Sequence, residues 1–166
     1  MKKIGFIVFL SICCSLNFGQ ENTSHKYKII PIDYRGHIYI DGSVNDVKGH
    51  FIVDTGADNL YFDSLFYAAG NLKYDSIITA RVPGAGKELQ KVKVIMNPVQ
   101  FDFHSLNYRT QSVPVISLKP IVGDFADGII GQDYFSQKIL EINYARNYMK
   151  IHDKIDSLSL GHYAKI

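Results

Sequence analysis

Apolar and polar residues alternate in short runs along most of the chain, and few stretches are long enough for a helix. Residues 27–33 (YKIIPID) form a first strand-like run, which Pro31 places at a sheet edge or breaks early. In residues 37–44 (HIYIDGSV), Ile38, Ile40, Gly42 and Val44 recur with period two and share one face. Asn45 and Asp46 are turn residues, and HFIVD (50–54) returns the chain, so a hairpin delivers Asp54 at its end. FDSLFYAAGNLK (62–73) predicts a short helix with Asp63 or Ser64 as N-cap and Gly70 at the C-terminal end. SIITARV (76–82) and QKVKVIMNPVQFDF (90–103) flank a glycine-rich tip, PGAGKEL (83–89), as a second hairpin. LNYRTQSVPVISL (106–118) is strand-like with an interruption at Pro114. ADGIIGQDYFSQ (126–137) passes from a short apolar run through Gly131 into a helix of one or two turns. KILEINYARNYMKIHD (138–153) predicts two strands around a turn at Ala145, Arg146 and Asn147.

Eight or nine short strands and two short helices predict a closed or sandwiched all-β domain. The 11 tyrosines and 10 phenylalanines, without tryptophan, suit strands. A length of 166 residues fits one such domain. The first residues stand apart. Lys2 and Lys3 precede an apolar run, Ile4 to Cys14, that is short for a membrane span, and polar residues follow from Asn17. This is the layout of a secretory signal peptide over residues 1–20, cut near Gly19 or Gln20. A lipoprotein signal and a buried N-terminal element are the alternatives, and the bulky Ile12 before Cys13 speaks against the first. The expected destination is the periplasm or the exterior, with no stable membrane anchor after cleavage.

Both cysteines, Cys13 and Cys14, lie in this leader, so the mature chain holds neither a disulfide nor thiol chemistry. Removing Lys2 and Lys3 from the 18 basic residues makes their number equal to the 16 acidic ones, which argues against nucleic acid as a partner. The six histidines (His25, His37, His50, His104, His152 and His162) show no ligand spacing, and no metal or other cofactor is expected. GAGK (84–87) is followed by Glu88 rather than Ser or Thr and is flanked by strands, so it is not a phosphate loop.

The candidate chemistry sits at Asp54. An apolar strand that ends on a carboxylate either leaves it in a surface turn or holds it half-buried, where a charge must be paired, hydrogen-bonded or protonated. Asp-Thr-Gly alone is a weak signal. Here DTGAD (54–58) follows an apolar strand, and GIIGQDYF (128–135) supplies a second apolar-apolar-Gly motif leading into a helix. Together these motifs resemble the retropepsin-like aspartic proteases, single-lobe relatives of pepsin and the retroviral proteases, over about residues 37–153. The resemblance implies an all-β acid-protease barrel lobe with one or two short helices over residues 37–155. Residues 21–36 would be linker and first strand, and residues 156–166 a tail or the start of a second lobe.

The resemblance also implies an exported endopeptidase with Asp54 as a catalytic carboxylate. Thr55, Gly56, Ile129, Ile130 and Gly131 would support its loop. Ala57 and Asp58 would line the cleft, and Gly84, Ala85 and Gly86 would form the tip of a mobile flap over a peptide or protein substrate. One departure is Gln132, which stands where retroviral members often carry an arginine paired with the acid that Asp58 matches. Gln132 can hydrogen-bond but cannot form an ion pair. Asp133 is read as a structural residue in the first helical turn. Hydrolysis by carboxylates needs two of them sharing a proton, and this chain has one Asp-Thr-Gly. The second is expected from a homodimer partner or from a second lobe beyond residue 166. A non-catalytic peptide-binding or assembly module of the same fold is the alternative function.

Overall fold

The computed structural model describes residues 27–70, 72–83 and 89–153. The predicted leader, the glycine-rich tip with Gly84, Ala85 and Gly86, and residues 156–166 lie outside the described residues.

The described residues form thirteen strands: β1 (Tyr27–Pro31), β2 (Asp33–Tyr34), β3 (Ile38–Val44), β4 (Val47–Val53), β5 (Leu60–Asp63), β6 (Ile77–Pro83), β7 (Leu89–Ile95), β8 (Val99–Phe103), β9 (Leu106–Thr110), β10 (Val113–Ile116), β11 (Gly128–Ile130), β12 (Ile139–Asn143) and β13 (Tyr148–His152). Three short helices join them: α1 (Ser64–Ala69), α2 (Lys119–Val122) and α3 (Gln132–Phe135). The main sheet runs β6-β7-β10-β5-β11-β4-β3-β8-β9, with β2 paired to β3, and curls as a half-barrel. A small sheet, β1-β13-β12, stands beside it.

The local predictions hold where local chemistry dictates them. Asn45 and Asp46 both adopt positive φ, 45° and 69°, as a two-residue hairpin turn requires, and Val44 pairs with Val47. Asn147 closes the last hairpin in the left-handed region. Pro31 ends β1, an edge strand paired only with β13.

The strand count among the described residues exceeds the expected eight or nine because two long runs divide and because β2 and β5 form where no separate strand was expected. Residues 90–103 break at Met96–Pro98 into β7 and β8. The run 106–118 breaks at Ser112, whose φ of 63° turns the chain, and not at Pro114. Pro114 stays within β10 because it faces Val94 of β7, while pairing with β5 begins only at Val115. The missing N–H is therefore tolerated where one edge of the strand has no neighbour.

The core lies inside the curl. Ile40, Val44, Phe51, Leu60, Phe62, Ile95, Val99, Phe101 and Ile130 are all essentially inaccessible. Phe51 packs edge-on against Phe101 and Phe66, with ring centres 4.7 and 5.7 Å away. Gly42 makes room for this packing, since a Cβ there would sit 2.8 Å from the Phe101 ring. The alternation in β3 understates its burial. Tyr39, on the face opposite Ile40, is also buried, in a second cluster with Ile52, Leu118 and Ala126.

Asp63 is the N-cap of α1 and is itself buried. Its Oδ1 accepts from the Leu65 and Phe66 backbone N–H groups at 2.7 and 3.4 Å, and its Oδ2 accepts from Leu118 N–H at 2.9 Å. One carboxylate thus satisfies the helix start and ties it to the segment entering α2. Asp63→Ala is expected to lower stability by about 2–3 kcal/mol, from the lost cap and the orphaned Leu118 donor. Urea denaturation checks this, and a loss below about 0.5 kcal/mol would contradict it.

Candidate active site

The site begins with β11. This three-residue strand runs between β4 and β5, parallel to the first and antiparallel to the second. The chain leaves β4 at Val53, forms the loop Asp54–Asn59 and enters β5. β11 then fills the gap beneath the loop. Asp54 N–H donates to Ile130 C=O at 3.1 Å, extending the parallel ladder by one residue.

The loop is held from within and from below. Asp54 Oδ1 accepts from Gly56 N–H at 2.8 Å, and Ala57 N–H donates to Asp54 C=O at 3.2 Å. A Cβ on Gly56 would lie 3.2 Å from the Asp54 carboxylate, so glycine keeps that approach open. The start of α3 is pinned to the same loop. Gln132 N–H donates to Ala57 C=O at 2.7 Å and Asp133 N–H to Asp58 C=O at 3.0 Å. These are donors that a helix start cannot satisfy internally.

Gly131 is buried beneath the loop, where a Cβ would stand 2.5 Å from both the Ala57 and Asn59 carbonyl oxygens. Ile130 belongs to the main core and Ile129 packs against the second cluster. The structure thus brings Thr55, Gly56, Ile129, Ile130 and Gly131 together around the Asp54 loop.

Asp54 itself is exposed, which corrects the half-buried alternative read from its apolar approach. Thr55 is also exposed, and among the described residues its hydroxyl has no hydrogen-bond partner. It lines a shallow depression with Gln132 and Leu140, separate from the Asp54 cleft.

Asp54 opens onto a cleft of about 560 Å³. Gly56, Ala57, Asp58 and Tyr61 line its polar side. Ile52, Ile116, Leu118, Ile121, Val122 and Ile129 supply its apolar lining. Burial, then the nearby carboxylates of Asp58, Asp133 and Asp54, push the Tyr61 phenol up, so it remains a protonated donor at neutral pH. Gln132 Nε2 donates to Asp58 Oδ1 at 3.4 Å, a long neutral contact. Val82 and Gln90, near the ends of β6 and β7 that lead to the glycine-rich tip, also reach the cleft.

Sequence reasoning missed the apolar wall, Tyr61 and His37, which also lines the cleft. Apart from Ile52 and the expected Ile129, the wall comes from residues 116–122, whose Pro120 and short helix show no clear periodicity. Its one usable signal was an apolar content unusual for a connection.

A carboxylate on an anchored loop, at the mouth of an apolar cleft in a curled β sheet, defines an acid-protease lobe. Residues 40–134, more than half of the chain, match the aspartyl protease family, and the chain belongs to it. Its fold is retropepsin-like. It is similar to a retropepsin-like aspartic protease from Rickettsia conorii, with 19% identity and a TM-score of 0.54, over 75% of this chain and 89% of that one. It is also similar to EIAV protease, solved with the inhibitor HBY-793, with 19% identity and a TM-score of 0.41, over 60% of this chain and 86% of that one. The retroviral protease-like domain of Ddi1 from Leishmania major matches with 16% identity and a TM-score of 0.45, over 70% and 92% of the two chains. No curated protein matches the chain in sequence.

Proposed function

We propose that the protein is an exported aspartic endopeptidase that works as a homodimer, each copy contributing one Asp54. The observation that carries this reading is the exposed Asp54 at the apolar cleft, on a loop pinned by Ile130, Gly131 and α3. The other nearby carboxylates are engaged differently. Asp63 caps α1 and bonds Leu118, and Asp133 sits in the first turn of α3.

Two Asp54 groups facing across a two-fold axis, about 3 Å apart, cannot both ionise and share one proton. The ionised member takes a proton from a water as that water attacks the peptide carbonyl. The protonated member polarises the same carbonyl. The Thr55 hydroxyl, without a partner among the described residues, is suited to brace the facing loop. Asp58 and Ala57, with Gly84, Ala85 and Gly86 between β6 and β7, would contact the peptide. Export rests on the leader in residues 1–20.

The test is hydrolysis of a denatured protein by the mature chain between about pH 3 and pH 7, with and without a pepstatin-type inhibitor, across a dilution series run beside sedimentation. Inhibitable hydrolysis that falls with second-order dependence on dilution is expected. A fully active monomer at every concentration overturns the paired mechanism. A stable dimer that binds peptides and never cleaves them overturns the peptidase reading. An inactive monomer that gains activity only when fused to a second lobe overturns the homodimer.

A further inference from the structure

We propose that Asp58 selects substrates, favouring peptides that carry a lysine or arginine side chain close to the large apolar residue held by the cleft wall. The inference rests on the peptidase reading for the use of the cleft and goes beyond it in naming the substrate class.

Asp58 is exposed at the polar side of the cleft. Its described side-chain contact is the long bond from the neutral Gln132 amide, and no described ion pair includes it. No lysine or arginine is among the described residues lining the cleft. Three cations elsewhere on the surface are paired: Arg35 with Asp33, Lys119 with Asp124, and Lys138 with Asp153. Ile116, Leu118 and Ile129 line the same cleft and offer contact only to apolar groups.

Among the described residues the cleft lining thus combines apolar groups with the carboxylates of Asp54 and Asp58 and the ring of His37, and holds no lysine or arginine. Burial first, and then the carboxylates of Asp58, Asp133 and Asp54, push the Tyr61 phenol up, in keeping with Asp58 lying close to this space. A cationic substrate side chain gains attraction there, while an acidic one meets like charge in partly desolvated surroundings. One exposed pair changes affinity only a few-fold. Exchanging attraction for repulsion roughly doubles the effect on a free-energy scale, so Lys over Glu should reach about tenfold.

The experiment uses the full mature protein carrying Asp54→Asn, so that binding is read without turnover. Fluorescent peptides with a Leu-Phe centre carry a single Lys, Gln or Glu moved through the flanking positions. At one position the Lys peptide is expected to bind about tenfold more tightly than the Glu peptide, with Gln between them. The ratio should shrink as salt is raised. Asp58→Asn should bring the ratio close to one, and so should Gln132→Arg, which supplies the missing cation internally. Thermal melts of these variants check that the fold is retained. A ratio near one at every position overturns the inference, as does absence of binding or a preference that survives Asp58→Asn. A change confined to dimer dissociation in Asp58→Asn overturns it too, since Asp58 would then pair across the dimer. Selective binding combined with failure of the unmutated protein to cleave any of these peptides overturns the peptidase reading alone.

Discussion

Asp54→Asn is expected to lower peptide hydrolysis by at least about a thousandfold while leaving the unfolding midpoint in place. The substitution keeps the shape of the side chain, and its amide oxygen can still accept the Gly56 N–H that now bonds Oδ1 at 2.8 Å. The side chain is exposed, so the fold loses little, within about 0.5 kcal/mol. What disappears is the ability to share a proton with a second carboxylate and to take one from water. Turnover measured beside a urea titration separates these effects. Wild-type turnover in the variant would remove Asp54 from the chemistry, and a shifted midpoint would make it a structural residue.

Gly131→Ala is expected to damage stability and activity together. Its φ of −91° suits any residue, so backbone strain is not the reason. The reason is space, because the new Cβ would lie 2.5 Å from two carbonyl oxygens and 2.8 Å from the Asn59 nitrogen. These are backbone atoms of the catalytic-loop candidate and cannot swing aside as a flexible side chain could. Overpacking of this kind costs about 3 kcal/mol. Relief requires moving α3 from the loop, which weakens the anchors from Gln132 and Asp133 to Ala57 and Asp58. A displacement of about 1 Å at a reacting group costs on the order of a hundredfold in rate. Urea midpoints and peptide turnover check both losses. A variant with an unchanged midpoint would show that the loop yields without cost, and the supporting role of Gly131 would be wrong.

The elements read well from sequence are those whose chemistry is local. Asn45 and Asp46 tolerate positive φ, so the β3–β4 hairpin follows from two residues. Asp63 caps α1 because a short carboxylate reaches the N–H groups of the first turn. Gly70 is different: it ends α1 with a φ of −69°, not in the left-handed region, and a Cβ there would crowd Phe66 O at 2.9 Å and Val47 at 3.1 Å. Its position was legible, and its reason was not.

The pairing of DTGAD with GIIGQDYF was visible as two motifs, and the contact between them was not. β11 finds its place only when β4 and β5 leave a gap for a parallel and an antiparallel neighbour at once. The apolar wall escaped for the same reason. Leu118 closes a strand-like run by local pattern, lies beyond the end of β10 in the fold, and is buried because Tyr39, Ile52 and Ala126 meet it from distant elements.

The sequence by itself determined the residue types at the site and the turns that present them. It set Asp54 after an apolar strand, glycines where a loop must be approached closely, and a neutral Gln132 opposite Asp58. Tertiary structure alone decided how open Asp54 is, which apolar residues share its cleft, and that the Thr55 hydroxyl has no partner among the described residues. Those properties depend on which surfaces meet across the fold. Side-chain periodicity encodes that a face is buried, and only the assembled sheet decides against what.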